Sequence, residues 1–244
     1  MWSVIFQRAK FAAMMLLFPV SALALDLKII TLEVAPWAFY NDEERVLVSG
    51  IFPDLVRDIE QRTGYDIKVT LSAFGFDRIF RELNSGRQDC TVIIKNNDYD
   101  AILVQEAFYD HPMGVVAHKK VSLKHESDLY GLQVSVHQVL AELAGFVDDP
   151  RIGKDIDMNY ELGLKKIEHG RVDGVVGAIP TIQYLAKQSG VDHLLGKPLV
   201  LKKEPIYLQC SKYSKNLSHV ENVNKVIRAM KTDGTIDRIK KHYR

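Results

Sequence analysis

Between residues 27 and 94 the chain alternates between two hydrophobic periods, and this alternation limits the fold more than any other feature. Leu27 to Val34 (LKIITLEV) is apolar and β-branched and is broken by Ala35-Pro36-Trp37, the pattern of a buried strand running into a loop. Phe52, Leu55, Val56 and Ile59 then recur at helical spacing around a helix predicted from Pro53 to Arg62, with a first-turn proline and Gly64 as its stop. Ile67 to Leu71 reads as a second strand, Asp77 to Leu83 as a second helix, and Cys90 to Ile94 as a third strand. Strand, helix, strand, helix, strand is the order of a parallel sheet covered by helices. After a crossing segment, Val115 to His118, the pattern restarts. Gly131 to Val136 and Val172 to Val176 are predicted strands, and Met158 to His169 and Pro180 to Gln188 are predicted helices. An extended stretch, Ile206 to Cys210, precedes two helical segments, Leu217 to Met230 and Thr235 to His242, hinged at Asp233-Gly234. Two α/β halves are therefore expected.

Composition excludes several function classes. The 244 residues carry 32 Lys and Arg against 31 Asp and Glu, so no broad basic surface for nucleic acid or anionic lipid is expected. With 47% hydrophobic residues the chain is globular, and its length allows one large domain or two lobes of roughly 100 residues each. At the N-terminus Arg8 and Lys10 precede an apolar run, Phe11 to Val20, followed by Ser21-Ala22-Leu23-Ala24, a small-x-small site. Residues 1–24 read as a cleavable secretory signal peptide. The alternative is an uncleaved anchor, since Trp2, Val4, Ile5 and Phe6 lengthen the apolar stretch, but Arg8 and Lys10 interrupt it and about ten apolar residues are too few to span a bilayer. Cleavage would leave 220 residues with 30 basic and 31 acidic side chains, expected to be soluble and exported.

Several short patterns, in order along the chain, carry a resemblance. They are Gly50-Ile51-Phe52-Pro53-Asp54-Leu55, Phe76-Asp77-Arg78-Ile79 through Leu83-Asn84-Ser85-Gly86-Arg87-Gln88-Asp89, and Asp128-Leu129-Tyr130-Gly131 with Val134-Ser135-Val136. Gly170-Arg171-Val172-Asp173-Gly174-Val175-Val176 and Met230-Lys231-Thr232-Asp233-Gly234-Thr235 complete the set. Together they resemble the bacterial extracellular solute-binding protein family 3, the periplasmic receptors of polar amino acid ABC transporters. The resemblance implies a two-lobed, type II periplasmic binding protein-like α/β fold. Lobe 1 would be residues 26–113 and 209–244 and lobe 2 residues 114–208, with strands crossing near Pro112 to His118 and Glu204 to Cys210. The ligand would lie in the cleft at the strand ends, where loops and helix N-termini converge.

The resemblance also identifies departures. The family presents an Arg after its third strand, in a Thr-x-x-Arg setting, to clamp an α-carboxylate; here the stretch reads Lys95-Asn96-Asn97-Asp98-Tyr99-Asp100-Ala101, without arginine. The amine-binding Asp of the family falls at Ala178 by spacing, and the Gly-Thr or Gly-Ser after Val136 is replaced by His137-Gln138-Val139. A standard free amino acid is therefore not the expected ligand. The ligand-binding candidates are Trp37 and Phe39 after the first strand, Phe76 opening the second helix, Lys95 and Asn96 beyond the third strand, and His137 from the second lobe. Glu33 and Arg78 are weaker choices, read also as solvated or ion-paired side chains. Aromatic faces suit a planar or cationic ligand. Phe108 and Tyr109 read as hinge packing.

No catalytic residue, metal or cofactor is expected. The eight histidines are scattered without the i, i+4 spacing of a helical zinc site, and no G-x-S-x-G, Walker A or G-x-G-x-x-G sequence occurs. Glu33 is the suspect for one enzymatic alternative, because a periplasmic cyclohexadienyl dehydratase has a similar fold. Cys90 and Cys210 fall on strands expected to be neighbours, which leaves a disulfide and two buried thiols both open. The expected partners are a small polar molecule and a membrane permease or a sensor receptor, with the protein itself monomeric.

Overall fold

The computed structural model describes residues 25–42, 44–73, 75–95, 100–137 and 149–243; the predicted signal peptide lies outside them. In chain order the elements are β1 (Asp26–Leu32), a short hairpin of β2 (Phe39–Tyr40) and β3 (Val48–Ser49), α1 (Ile51–Thr63), β4 (Asp66–Ser72), α2 (Gly75–Asn84) and β5 (Cys90–Ile94). They continue as β6 (Ile102–Ala117), β7 (Gln133–His137), β8 (Gly153–Asp157), α3 (Tyr160–Glu168), β9 (Gly174–Ala178), α4 (Ile179–Gln188), β10 (Leu199–Ser211), α5 (Val220–Thr232) and α6 (Thr235–His242).

The two halves repeat one plan. β4, β1 and β5 are parallel and β5 pairs antiparallel with β10; β8, β7 and β9 are parallel and β9 pairs antiparallel with β6. β6 and β10 also pair with each other along nearly their whole length, so the ladder runs unbroken as β4-β1-β5-β10-β6-β9-β7-β8. The halves nevertheless hang from opposite ends of this pair: β5 joins β10 at Ile206 to Cys210, and β9 joins β6 at Met113 to Ala117. The crossings are longer than the sequence suggests, 16 and 13 residues. Their middle escaped pattern reading because it leaves one core and enters another, so no single face stays apolar.

Each half-sheet is buried on both faces, as parallel strands require. In the first half, Leu27, Ile29, Val92 and Leu208 pack with Phe52, Leu55 and Ile59 of α1 and Val223 and Ile227 of α5, while Ile30 and Ile93 pack under Ile79, Phe80 and Leu83 of α2. In the second, Val116 and Val175 meet Leu164 and Ile167 of α3 and Ile182 of α4, and Val115, Val134, Val136 and Val176 form the opposite layer with Leu129 and Ile152. Full burial stabilises each such side chain by roughly 1.5–3 kcal/mol. The edge strand β8 (GKDID) gave no apolar signal. Its Ile156 is exposed, and its one buried side chain is the Asp157 carboxylate, held by Ser135 Oγ at 2.6 Å and Lys166 Nζ at 2.8 Å.

Cys90 and Cys210 stand opposite each other on β5 and β10 and form a disulfide across 120 residues of sequence. This resolves the alternative left open above. A link closing so long a loop restricts the unfolded chain and is worth roughly 2–4 kcal/mol. Scanning calorimetry is expected to show the oxidised protein melting about 5–15 °C above the Cys90→Ala/Cys210→Ala double variant; equal melting temperatures would show that the bridge contributes nothing to stability.

Candidate functional site

A cavity of about 520 Å³ lies between the halves, at the carboxyl ends of the strands. Leu32 at the end of β1 with Glu33 and Val34 beyond it, Ser72 and Ala73 at β4, Ile93 and Ile94 of β5, His137 of β7, Met158 and Asn159 after β8, and Ala178 of β9 all border it. Ligand crevices of open α/β sheets lie at this end of the strands.

The wall from the first half is rigid for local reasons. Trp37 Nε1 donates to Thr31 Oγ1 at 2.8 Å, the Thr31 hydroxyl donates to the Val92 carbonyl at 2.8 Å, and the indole stacks on Phe52 at 5.3 Å. The first N–H groups of α1 would otherwise lack acceptors. Ile51 N donates to Pro36 O and Phe52 N to Trp37 O, which ties the loop to the helix. That approach needs glycine at position 50, where φ is 125° and a Cβ would stand 2.5 Å from Trp37 O. The aromatic series continues from Trp37 to Tyr109 at 6.1 Å and on to His111 at 6.0 Å. Tyr109, His111 and Met113 alternate along β6 and so face the cavity together. His111 Nδ1 is shut off from water with no hydrogen-bond partner, and burial, reinforced by the Lys240 charge, pushes the imidazole down to about 4. Burial raises the Tyr109 hydroxyl above the usual phenol range.

The facing wall comes from the second half. His137 and Tyr160 rings lie 4.9 Å apart, and burial lowers His137 below the usual imidazole value against an opposing pull from Glu161. The Tyr160 hydroxyl accepts the Ala178 N–H at 3.1 Å, and burial pushes it up to about 12. Gly177, at φ 155°, leaves room for that ring; a Cβ there would overlap it. Asn159 caps α3 by accepting the Leu162 N–H, so the helix begins at Tyr160 and not at Met158 as predicted. Phe39 of the first half reaches Tyr184 of α4 at 6.2 Å.

Five of the sequence candidates, Glu33, Trp37, Phe39, Phe76 and His137, border this one cavity. Arg78 lies on α2 and Lys95 is exposed beyond β5, and neither borders it; Asn96 lies outside the described residues. Glu33 forms a two-pronged ion pair with Arg45, at 2.9 and 2.6 Å. Sequence reasoning missed His111, Met113, Met158, Tyr160 and Glu161 and read Tyr109 as packing only. The period-two spacing of Tyr109, His111 and Met113 was the available signal, hidden while the crossing strand was read as starting no earlier than Pro112. Among the described residues no group of three or more His, Cys, Asp or Glu is arranged to hold a metal, and no helix is long and apolar enough to cross a membrane.

Two half-sheets of matching order, joined by a pair of crossing strands over an aromatic cleft, define the two-lobed periplasmic binding protein fold. The chain belongs to the bacterial extracellular solute-binding proteins, family 3, whose family model matches residues 27–244. Among solved structures it is similar to the GluR0 ligand-binding core in complex with L-glutamate (TM-score 0.73, 14% identity, 91% of this chain and 99% of that chain). It is likewise similar to the BvgS VFT2 domain of Bordetella pertussis (0.71, 18%, 90% and 93%) and to an ancestral amino acid-binding protein described as a precursor of cyclohexadienyl dehydratase (0.68, 20%, 89% and 94%). At these identities the likeness is one of fold. No curated protein sequence matches the chain.

Two variants test the site's construction. Gly50→Ala forces a left-handed backbone and a carbonyl clash, so chemical denaturation is expected to show a loss of about 2–4 kcal/mol. The second concerns pH. The unfolded chain takes up the His111 proton near pH 6.5 and the folded protein only near pH 4, so stability is full above about 6.5 and falls on acidification through that window. Urea titrations at pH 7 and 4.5 are expected to show His111→Gln losing about 2 kcal/mol less than the parent on acidification; parallel losses would refute a buried neutral imidazole.

Proposed function

We propose that this chain is a periplasmic receptor that traps a small polar molecule in the cleft without making or breaking bonds, and that it serves an ABC-type permease. The proposed lobes are residues 26–113 with 209–244, and 114–208, after removal of residues 1–24. The protein acts as a monomer. Bending of β6 and β10 brings the Trp37, Phe39 and Phe76 side against the His137 and Tyr160 side, and a ligand touching both favours the closed form by the difference in its contacts.

The observation that carries the ligand reading is at Ala178. A methyl group borders the cavity where the family's amine-binding Asp falls by spacing, and residues 95–101 hold no carboxylate-binding Arg. A charge-assisted hydrogen bond is worth about 1.5–3 kcal/mol, so loss of either clamp weakens an amino acid by roughly tenfold to over a hundredfold. The ligand is therefore not a standard free amino acid. Binding is favoured over acid-base catalysis because Glu33, the suspect carboxylate, has both oxygens engaged by Arg45.

A thermal-shift screen of amino acids, amines, organic acids and small peptides tests this reading. The true ligand at 100 times its Kd is expected to add about 2.7 kcal/mol, or about 5–10 °C in Tm. A shift of that size from an ordinary amino acid would refute the ligand assignment and leave the receptor intact, whereas no stabilising small molecule in any class would refute the receptor.

A further inference from the structure

The charges that face the cavity are unbalanced. Among the described residues that border it there are two carboxylates, Glu33 and Glu161, and no lysine or arginine. Arg45 neutralises Glu33 from outside the lining. Glu161, exposed in the first turn of α3 at the rim, has no ion-pair partner among the described residues. The two bordering imidazoles do not compensate it, because burial lowers the proton affinity of both. Nor does the sequence hold a cation in the stretches left undescribed beside the strand ends: residues 96–99 (NNDY) and 138–148 (QVLAELAGFVD) contain no lysine or arginine.

The helix N-termini of the second half offer an anion few free donors at the positions nearest Tyr160. At α4 the Ala178 N–H is already taken by the Tyr160 hydroxyl, and Pro180 has no N–H to offer. At α3 the Leu162 N–H is taken by Asn159, and Glu161 itself complements the positive end of the helix. Closing the lobes withdraws Glu161 from water, and a carboxylate desolvated without a partner is strongly unfavourable. A ligand that carries positive charge removes that penalty. The aromatic lining adds attraction for a cation over the ring faces left open, Tyr109 already carrying Lys240 Nζ 4.3 Å from its centroid.

We infer that the cleft selects a monocation: an apolar, preferably aromatic body with one ammonium, amidinium or guanidinium group and no carboxylate, its charge set against Glu161 and its body between the Trp37–Tyr109 wall and the His137–Tyr160 pair. The inference rests on the receptor reading and narrows its ligand.

Four matched compounds test it by isothermal titration of the mature chain at pH 7: phenethylamine, 2-phenylethanol, phenylacetate and phenylalanine. Phenethylamine is expected to bind at least tenfold tighter than the neutral alcohol, and phenylacetate more weakly than either. Glu161→Gln, an exposed and isosteric change, is expected to reduce phenethylamine affinity tenfold or more while leaving 2-phenylethanol within twofold, with the melting temperature of the unliganded protein lowered by no more than about 3 °C, the loss of one helix-terminal charge. Phenylacetate or phenylalanine binding as tightly as phenethylamine, or no effect of Glu161→Gln, would overturn the inference. If none of the four binds, the charge of the compound returned by the thermal-shift screen decides: a carboxylate-free cation upholds it, an anion or zwitterion sinks it alone, and an empty screen sinks the receptor reading as well.

Discussion

The antiparallel pairing of β6 with β10 is the constraint on which the rest depends. Every other strand belongs to one half, and only these two run through both. Where they pass between the halves the ladder aligns His111 with Glu204 and Pro112 with Lys203, and Pro112 and Pro205 withhold N–H donors there. The crossing thus has two fewer backbone donors than a proline-free ladder of the same length. Alternation along β6 gives the two sides of this ribbon different tasks. Tyr109, His111 and Met113 floor the cavity, while Asp110 and Pro112 line a second groove together with Lys203 and Lys240. Bending the ribbon must open one side as it narrows the other.

A hinge can report on a ligand only if the surfaces it brings together do not themselves soften. Trp37 is fixed by a buried hydrogen bond, by stacking on Phe52 and by the α1 N–H groups that grip its loop. Tyr160 is fixed by the Ala178 N–H and by the space above Gly177. Both walls are built before a ligand arrives, so little side-chain entropy is lost on binding, and in the proposed closure contact energy goes into the lobe movement.

The legible part of the chain was the part with one environment per residue. The βαβ patterns of both halves stood out because β1, β5, β7 and β9 are buried on both faces and α1 and α2 carry single apolar stripes. The glycine turns and aromatic positions placed Trp37, Phe39, Phe76 and His137 at strand ends, where the cavity lies. What was illegible changes environment within an element. β6 and β10 leave one core for another, β8 turns its side chains to solvent, and Glu161 owes its position to a cap at Asn159 that sequence spacing alone did not mark as a boundary. Arg78 and Lys95 illustrate the converse: each is close in sequence to a strand or helix end at the cleft, yet direction along the element takes it elsewhere.

In the proposed receptor, alanine at position 178 puts a methyl group on the cavity wall beside the Tyr160 hydroxyl. The hydroxyl takes the Ala178 N–H, and the ring fills the space above Gly177 beside His137. Negative charge at the cleft is carried by Glu161, exposed in the first turn of α3. An aromatic interior with a carboxylate at its edge is the arrangement from which the proposed preference for a cation follows: the body of the ligand is selected by the rings, and its charge by the cost of desolvating Glu161.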